Sequence, residues 1–142
     1  MKKDLLCTIT GAAGAAVTSL LGGWNSAITT LMLFMVIDYL SGLVVAGIFK
    51  NSTKTINGAL KSSVGWKGLC RKGMTLLIVL VAHRLDVAIG TSYIRDATVI
   101  AFVVNETISI IENAGLMGLP IPSVLVKAID VLKNKEEKTS EN

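Results

Sequence analysis

The sequence predicts an all-α integral membrane protein with three to four transmembrane helices and a C-terminal amphipathic helix. Hydrophobic residues make up 51% of the 142 residues and charged residues only 17%, whereas soluble domains are about a quarter charged. Residues 26–49 form an apolar stretch with a single charge, Asp38. Such a stretch is long enough to cross the roughly 30 Å hydrocarbon core of a bilayer as one helix. Basic residues collect between Lys50 and Lys72, a segment without any acid.

The first predicted helix covers about residues 5–22 and carries no charge. Its small residues recur four apart at Gly11 and Ala15, at Gly14 and Thr18, and at Thr18 and Gly22, a spacing that lets two helix backbones approach closely in lipid. We therefore predict that Gly11, Ala15, Thr18 and Gly22 pack against another helix. The composition leaves open whether the segment spans the membrane or lies on its surface.

The second predicted span, residues 26–49, places Asp38 near its centre. A carboxylate at that depth is costly in contact with lipid, so it normally faces a partner group or water. We predict that Asp38 lies at a helix interface or in a water-lined opening.

The basic segment is predicted to be a cytoplasmic loop, because short loops rich in Lys and Arg stay on the cytoplasmic side. With four spans, both chain termini are then cytoplasmic too. The segment is suited to anionic lipids, and it lacks the interleaved aromatic residues that would indicate nucleic-acid binding. Its six cations are Lys50, Lys54, Lys61, Lys67, Arg71 and Lys72.

Two further spans are predicted over about residues 74–93 and 94–113, and both contain polar residues that need partners or water. The third span carries His83, Arg84 and Asp86. In the fourth, spacings of four and three place three polar residues on one side of a helix, and Glu106 lies beside that stripe. We predict that Glu106 pairs with a cation such as Arg84. The stripe consists of Asn105, Ser109 and Glu112.

The C-terminal part is predicted to be an amphipathic helix over about residues 123–133. A charged, flexible tail is predicted for residues 134–142. Residues 1–133 would then form a single membrane domain.

The chain offers no pattern of catalytic or metal-binding residues. It contains one histidine and two cysteines, Cys7 and Cys70, that are far apart in the sequence, and it lacks a phosphate-binding glycine loop and a serine elbow. We expect no enzyme activity, metal or cofactor. The polar residues of the spans would pair between helices or line a pore, and a proton relay is the less favoured alternative.

Three stretches resemble one known family. They are DYLSG at residues 38–42, SSVGWKGLCRKGMTLLIVLVAHRLD at residues 62–86, and NETISIIENAGLMGLPIPSVLVKAIDVL at residues 105–132. In this order they are similar to the toxin-secretion and phage-lysis holins of Gram-positive phages and clostridial toxin loci. The resemblance covers roughly residues 28–132, and its most specific part is the string around ENAG and GLPIP.

The resemblance implies a small multi-pass protein of the bacterial cytoplasmic membrane that oligomerises with itself. Its lesions would release an endolysin or a toxin from the cytoplasm during host lysis. An antiholin would be a further partner. Two alternatives stay open at this point: an antiholin or regulatory membrane subunit, and a small ion channel.

Overall fold

Helices form almost the whole of the computed structural model, which describes residues 1–140 except the side chains of residues 132, 133, 136, 137, 139 and 140. The all-α prediction is confirmed for this part of the chain. The helices are α1 (Lys2–Leu20), α2 (Ser26–Val44), α3 (Ser62–Ile89), α4 (Ile94–Leu116) and α5 (Ser123–Ser140). A single π-helical segment, Val45–Phe49, prolongs α2.

Helices α2, α3 and α4 pack into one bundle around a small apolar core. Ile28 and Leu31 of α2, Val79 of α3 and Val99 of α4 are almost completely buried there. The chain enters α2 through Asn25, whose side chain accepts a 3.0 Å hydrogen bond from the backbone N–H of Ile28, the usual role of an N-cap residue.

The connections define the two ends of the bundle. The short turns at residues 21–25 and 90–93 lie at one end, which we call the turn end. The longer connection at residues 50–61 lies at the other, which we call the loop end. Asn51 in this loop donates a 3.1 Å hydrogen bond to the carbonyl of Leu116, at the end of α4. This bond fixes the loop to the bundle.

Helix α1 makes no comparable packing within the chain. Residues 1–17 are all exposed, and Thr18 is half-buried. A side chain added at Gly11 would meet no atom of the chain within 4 Å. Of the small residues predicted to pack, Gly11 and Ala15 are exposed and have no partner helix among residues 1–140, whereas Gly22 lies against His83 of α3.

Two helical segments are long and apolar enough to cross a membrane, judged by length and composition among residues 1–140. They are Ser26–Phe49, with a mean hydropathy of 2.2, and Ile94–Leu116, with 1.4. The first has the bounds predicted from the sequence. Helices α1 and α3 do not reach the same standard, so that a third and a fourth span stay predictions.

Two boundaries differ from those predicted. Helix α3 begins at Ser62 and not near Met74, because the cations and glycines of its first turns are tolerated in a helix as well as in a loop. Helix α5 continues to Ser140, so most of the predicted flexible tail is helical; residues 141–142 lie outside the described part.

Candidate functional site

Three charged side chains meet between the helices of the bundle. The ammonium nitrogen Nζ of Lys72 lies 2.7 Å from Oδ2 of Asp38 and 2.6 Å from Oε2 of Glu106. One residue comes from each helix, because Asp38 belongs to α2, Lys72 to α3 and Glu106 to α4. We call this group the ion triad. It links three elements that are distant in the sequence through one cation.

Burial makes the ion triad a strong structural constraint. The side chains of Lys72, Asp38 and Glu106 are 13%, 10% and 8% exposed. Removing charges from water costs several kcal/mol for each ion, roughly, and only close opposite charges offset this. One cation between two carboxylates leaves a formal charge of −1 if all three are ionised. The triad therefore depends on its geometry and on the polar groups around it.

Neutral polar groups extend the triad toward the loop end. Asn113 of α4 donates from Nδ2 to the Asp38 carboxylate over 3.2 Å and to Oγ of Ser41 over 2.8 Å. The amide of Asn113 thus satisfies the second oxygen of Asp38 and holds α4 against α2.

An open cavity reaches the ion triad from the loop end. Its volume is about 510 Å³, and its walls come from α2, α3, α4 and the loop of residues 50–61. Asn105 and Ser109 contribute to the wall near the triad. The bundle therefore has a polar interior on this side, whereas the turn-end side has the apolar core.

A second polar group joins the helices at the turn end. Asp86 of α3 is buried and accepts three hydrogen bonds, from the hydroxyl of Thr91 at 2.6 Å and from the backbone N–H groups of Ile94 at 3.0 Å and Arg95 at 2.8 Å. These amides belong to the first turn of α4, which lacks partners within its own helix. Asp86 therefore acts as an N-terminal cap for α4.

The turn after α1 also contacts this group. Nη2 of Arg95 donates a 2.8 Å hydrogen bond to the carbonyl of Gly23. The imidazole of His83 packs so closely on Gly22 that an added Cβ would lie 2.5 Å from the ring nitrogen Nδ1. Gly22 also has a φ of +83°, which favours glycine. These residues are in close contact at the turn end, and we call them the turn-end joint. They are Gly22, Gly23, His83, Asp86 and Arg95.

The structure separates the residues that the sequence grouped as polar membrane residues. Asp38 and Glu106 lie in the ion triad, and Asp86 lies in the turn-end joint. Arg84 is exposed, and the predicted partnership with Glu106 is wrong because Lys72 is the cation beside that carboxylate. In the α4 stripe, Asn105 and Ser109 border the cavity, whereas Glu112 is exposed and does not line it.

The basic segment is only partly a loop. Lys50, Lys54 and Lys61 precede α3, but Lys67, Arg71 and Lys72 lie on the helix itself. Lys72 is moreover the central cation of the triad, so it belongs to helix α3 and not to a loop. The helix turns its ammonium group inward, toward the two carboxylates.

Sequence reasoning missed Lys72 and Asn113 as members of the site. A spacing of seven residues could have identified them, because seven residues are about two helical turns and place two side chains on nearly the same face of a helix. Lys72 is seven residues before the buried Val79, and Asn113 is seven residues after Glu106. Because Lys72 is charged, it was grouped with the basic segment. The polar stripe favoured a neighbouring face of α4 over the face that carries Asn113.

Within the described residues, no three His, Cys, Asp or Glu side chains come together as metal ligands would. The arrangement can hold helices together through charge, and it can admit water from the loop end.

Comparison with known proteins gives the family. The model of the bacteriophage holin family matches residues 15–134, which include the ion triad, the cavity and the turn-end joint. The chain belongs to the bacteriophage holin family. Membership of this family, together with two apolar helices of sufficient length, makes it a membrane protein with a holin-like, non-enzymatic role.

Relatives of this holin-family chain come from Gram-positive bacteria and a phage. An uncharacterised protein of Halalkalibacterium halodurans is 42% identical over 87% of this chain and 90% of its own length. An uncharacterised protein of Clostridium perfringens is 34% identical over 95% and 97%. A probable holin of Bacillus phage phi105 is 29% identical over 78% and 77%. No solved structure matches the chain.

Proposed function

We propose that this chain is a holin that accumulates in the cytoplasmic membrane and oligomerises into lesions during host lysis. The lesions would release an endolysin or a toxin. The observation that carries the proposal is the holin-family match over residues 15–134, and the similarity to the probable holin of phage phi105 supports it. The structure adds a physical reason, because the bundle contains both a polar cavity and the ion triad.

In the proposed resting state, the charges of the ion triad stay paired inside the bundle of each chain. In the ion triad, Lys72 pairs with both Asp38 and Glu106 at the inner end of the cavity. Apolar side chains such as Leu33 and Ile37 are exposed on α2 and suit contact with lipid. This state can build up in the membrane without permeabilising it.

In the proposed open state, the polar wall of the cavity lines a water-filled opening shared by several copies. Polar groups within a bilayer are tolerated where they border water or protein. Asn105 and Ser109 already face the cavity in a single chain. The unpartnered small residues of α1, among them Gly11, would supply contacts between copies. Concentration and membrane potential can then set the time of opening, since one charge moved through 100 mV changes the energy by about 2.3 kcal/mol.

The test is induced expression of the full chain in a bacterium that also makes a cytoplasmic endolysin lacking its own export signal. We expect growth to continue, then to stop abruptly with loss of respiration and release of cytoplasmic protein. The control is the same strain without the chain, which should keep the endolysin inside and continue to grow.

Each alternative function gives a different result in this test. If cells tolerate the chain and it delays lysis by a second holin, the chain is an antiholin and the proposal fails. If the cells lose potassium but retain cytoplasmic protein, the chain is a small ion channel and the proposal also fails.

A further inference from the structure

The loop end of the cavity carries a strong excess of positive charge. Five basic and two acidic side chains line it, a formal surplus of three positive charges. Both acids, Asp38 and Glu106, are already paired with Lys72. The basic lining residues are Lys54, Lys61, Lys67, Arg71 and Lys72.

The four remaining cations form no salt bridge among the described side chains. All four are exposed, and Lys61, Lys67 and Arg71 surround the first turns of α3. The N-terminus of α3 adds to this field, because helix N-termini carry a partial positive charge. Lys61, at the N-cap position, provides no side-chain cap. The cavity therefore presents an environment for an anion.

The same cavity also has apolar walls. Leu43 and Val45 of the α2 region line it, together with Leu60 and Val64. Large apolar residues that lie near the basic lining residues in the sequence are exposed, including Trp66, which is 66% exposed. Tryptophan is enriched where a membrane meets water. Basic groups beside apolar surface suit a molecule with an anionic head and a hydrocarbon tail better than a free anion.

We propose that this cavity binds the phosphate headgroup of an anionic phospholipid from the cytoplasmic leaflet. Lys61, Lys67 and Arg71 supply the charge for the phosphate, and Leu43, Leu60 and Val64 contact the adjoining acyl chain. Basic pockets between helices on the cytoplasmic side are a known form of lipid recognition. The inference rests on the membrane placement proposed above, but it does not depend on lesion formation.

The experiment measures lipid contact at Trp66 in the purified full chain, reconstituted in vesicles. Trp24→Phe leaves Trp66 as the single tryptophan. Its fluorescence is quenched by brominated phosphatidylglycerol in phosphatidylcholine vesicles, and by brominated phosphatidylcholine in vesicles containing the same fraction of phosphatidylglycerol. We expect a preference for phosphatidylglycerol of about fivefold, which corresponds to about 1 kcal/mol, typical of one basic side chain at an anionic surface.

A charge-matched pair of variants separates this site from general attraction to the membrane. Lys61→Gln, Lys67→Gln and Arg71→Gln together should abolish the preference. The control removes three cations that do not line the cavity, through Lys2→Gln, Lys3→Gln and Lys127→Gln, and should keep the preference. Circular dichroism verifies that both variants keep their helices. If the triple variant does not fold, Lys61→Gln alone must lower the preference.

Two results would overturn the proposal. They are equal quenching by both lipids and equal loss of preference in the two variants. Because the readout is lipid contact and not lysis, failure here leaves the proposed holin function untouched, and the reverse also holds.

Discussion

Lys72 is the residue on which the interior of the bundle depends most. Its ammonium group is the only cation among the described side chains within salt-bridge distance of Asp38 and Glu106. Without it, two carboxylates from parallel helices would face each other in a poorly hydrated space. The two carboxylates would then repel each other, which favours separation of the helices.

We therefore expect Lys72→Met to lower the free energy of unfolding of the bundle by about 3 kcal/mol. This is the lower end of the range of about 3–5 kcal/mol found when one partner of a buried ion pair is removed. Thermal unfolding in detergent measures this. Lys67→Met on the same helix is the control, because Lys67 is exposed, and it should unfold like the parent chain. Neutralising all three members, with Asp38→Asn, Lys72→Met and Glu106→Gln, should recover most of the loss. Equal unfolding temperatures for Lys72→Met and Lys67→Met would contradict the role of the ion triad.

Asp86 gives a second prediction at this scale. Asp86→Ala removes the acceptor of three hydrogen bonds at the start of α4, so that the amides of Ile94 and Arg95 lose their partners. We expect faster hydrogen exchange at these two amides and a lower unfolding temperature. Arg84→Ala, an exposed neighbour on α3, should change neither. Unchanged exchange at Ile94 and Arg95 would show that Asp86 does not cap α4.

Among the elements, α1 is set apart from the bundle. Gly11 and Ala15 of this helix are exposed and contact no other helix in the described part of the chain, so any packing by them must involve a second copy or lipid. Gly11→Leu with Ala15→Leu should therefore leave the unfolding of α2–α4 unchanged. Chemical cross-linking in membranes should at the same time yield fewer higher oligomers. Parental amounts of cross-linked oligomers would indicate a helix that lies on the membrane without joining copies.

Helix α3 offers a test of orientation. Cys70 is exposed on its N-terminal half, close to Lys67 and Arg71. Because basic segments stay on the cytoplasmic side, a membrane-impermeant thiol reagent should label Cys70 in inside-out vesicles and not in intact cells. Cys7→Ser removes the other thiol. Labelling in intact cells would reverse the proposed topology.

The elements also show how far the sequence predicts this fold. The apolar run from Ser26 to Phe49 is a local signal, and it gives α2 and its π-helical extension correctly. The start of α3 was misplaced because its first turns combine cations with glycines, a composition shared by loops and helices. The ion triad could not be predicted as a unit, since hydrophobic periodicity identifies the inward face of each helix but not which charges meet across three helices.

At the scale of the whole molecule, the chain combines an apolar outer surface with an interior that changes along its length. The turn end is closed by the apolar core and the Asp86 joint, whereas the loop end opens into a polar cavity that reaches the ion triad. Such a chain can remain in a bilayer without permeabilising it while the polar wall of its cavity faces the interior of the bundle. When copies associate, the same wall can border a shared opening.

The most direct test of this account is the reactivity of a cysteine at Asn105, on the polar wall of α4. In a chain with Cys7→Ser and Cys70→Ser, Asn105→Cys is treated with an impermeant thiol reagent outside intact cells, before and after growth stops. Ile37→Cys is the control, since Ile37 is exposed on the apolar surface of α2, as many residues from the start of its helix as Asn105 is from the start of α4. The account predicts no labelling at either site before growth stops, and labelling at Asn105→Cys alone afterwards. If cells lyse while Asn105→Cys stays unreactive, or if Ile37→Cys reacts equally, this wall of α4 does not line the lesion.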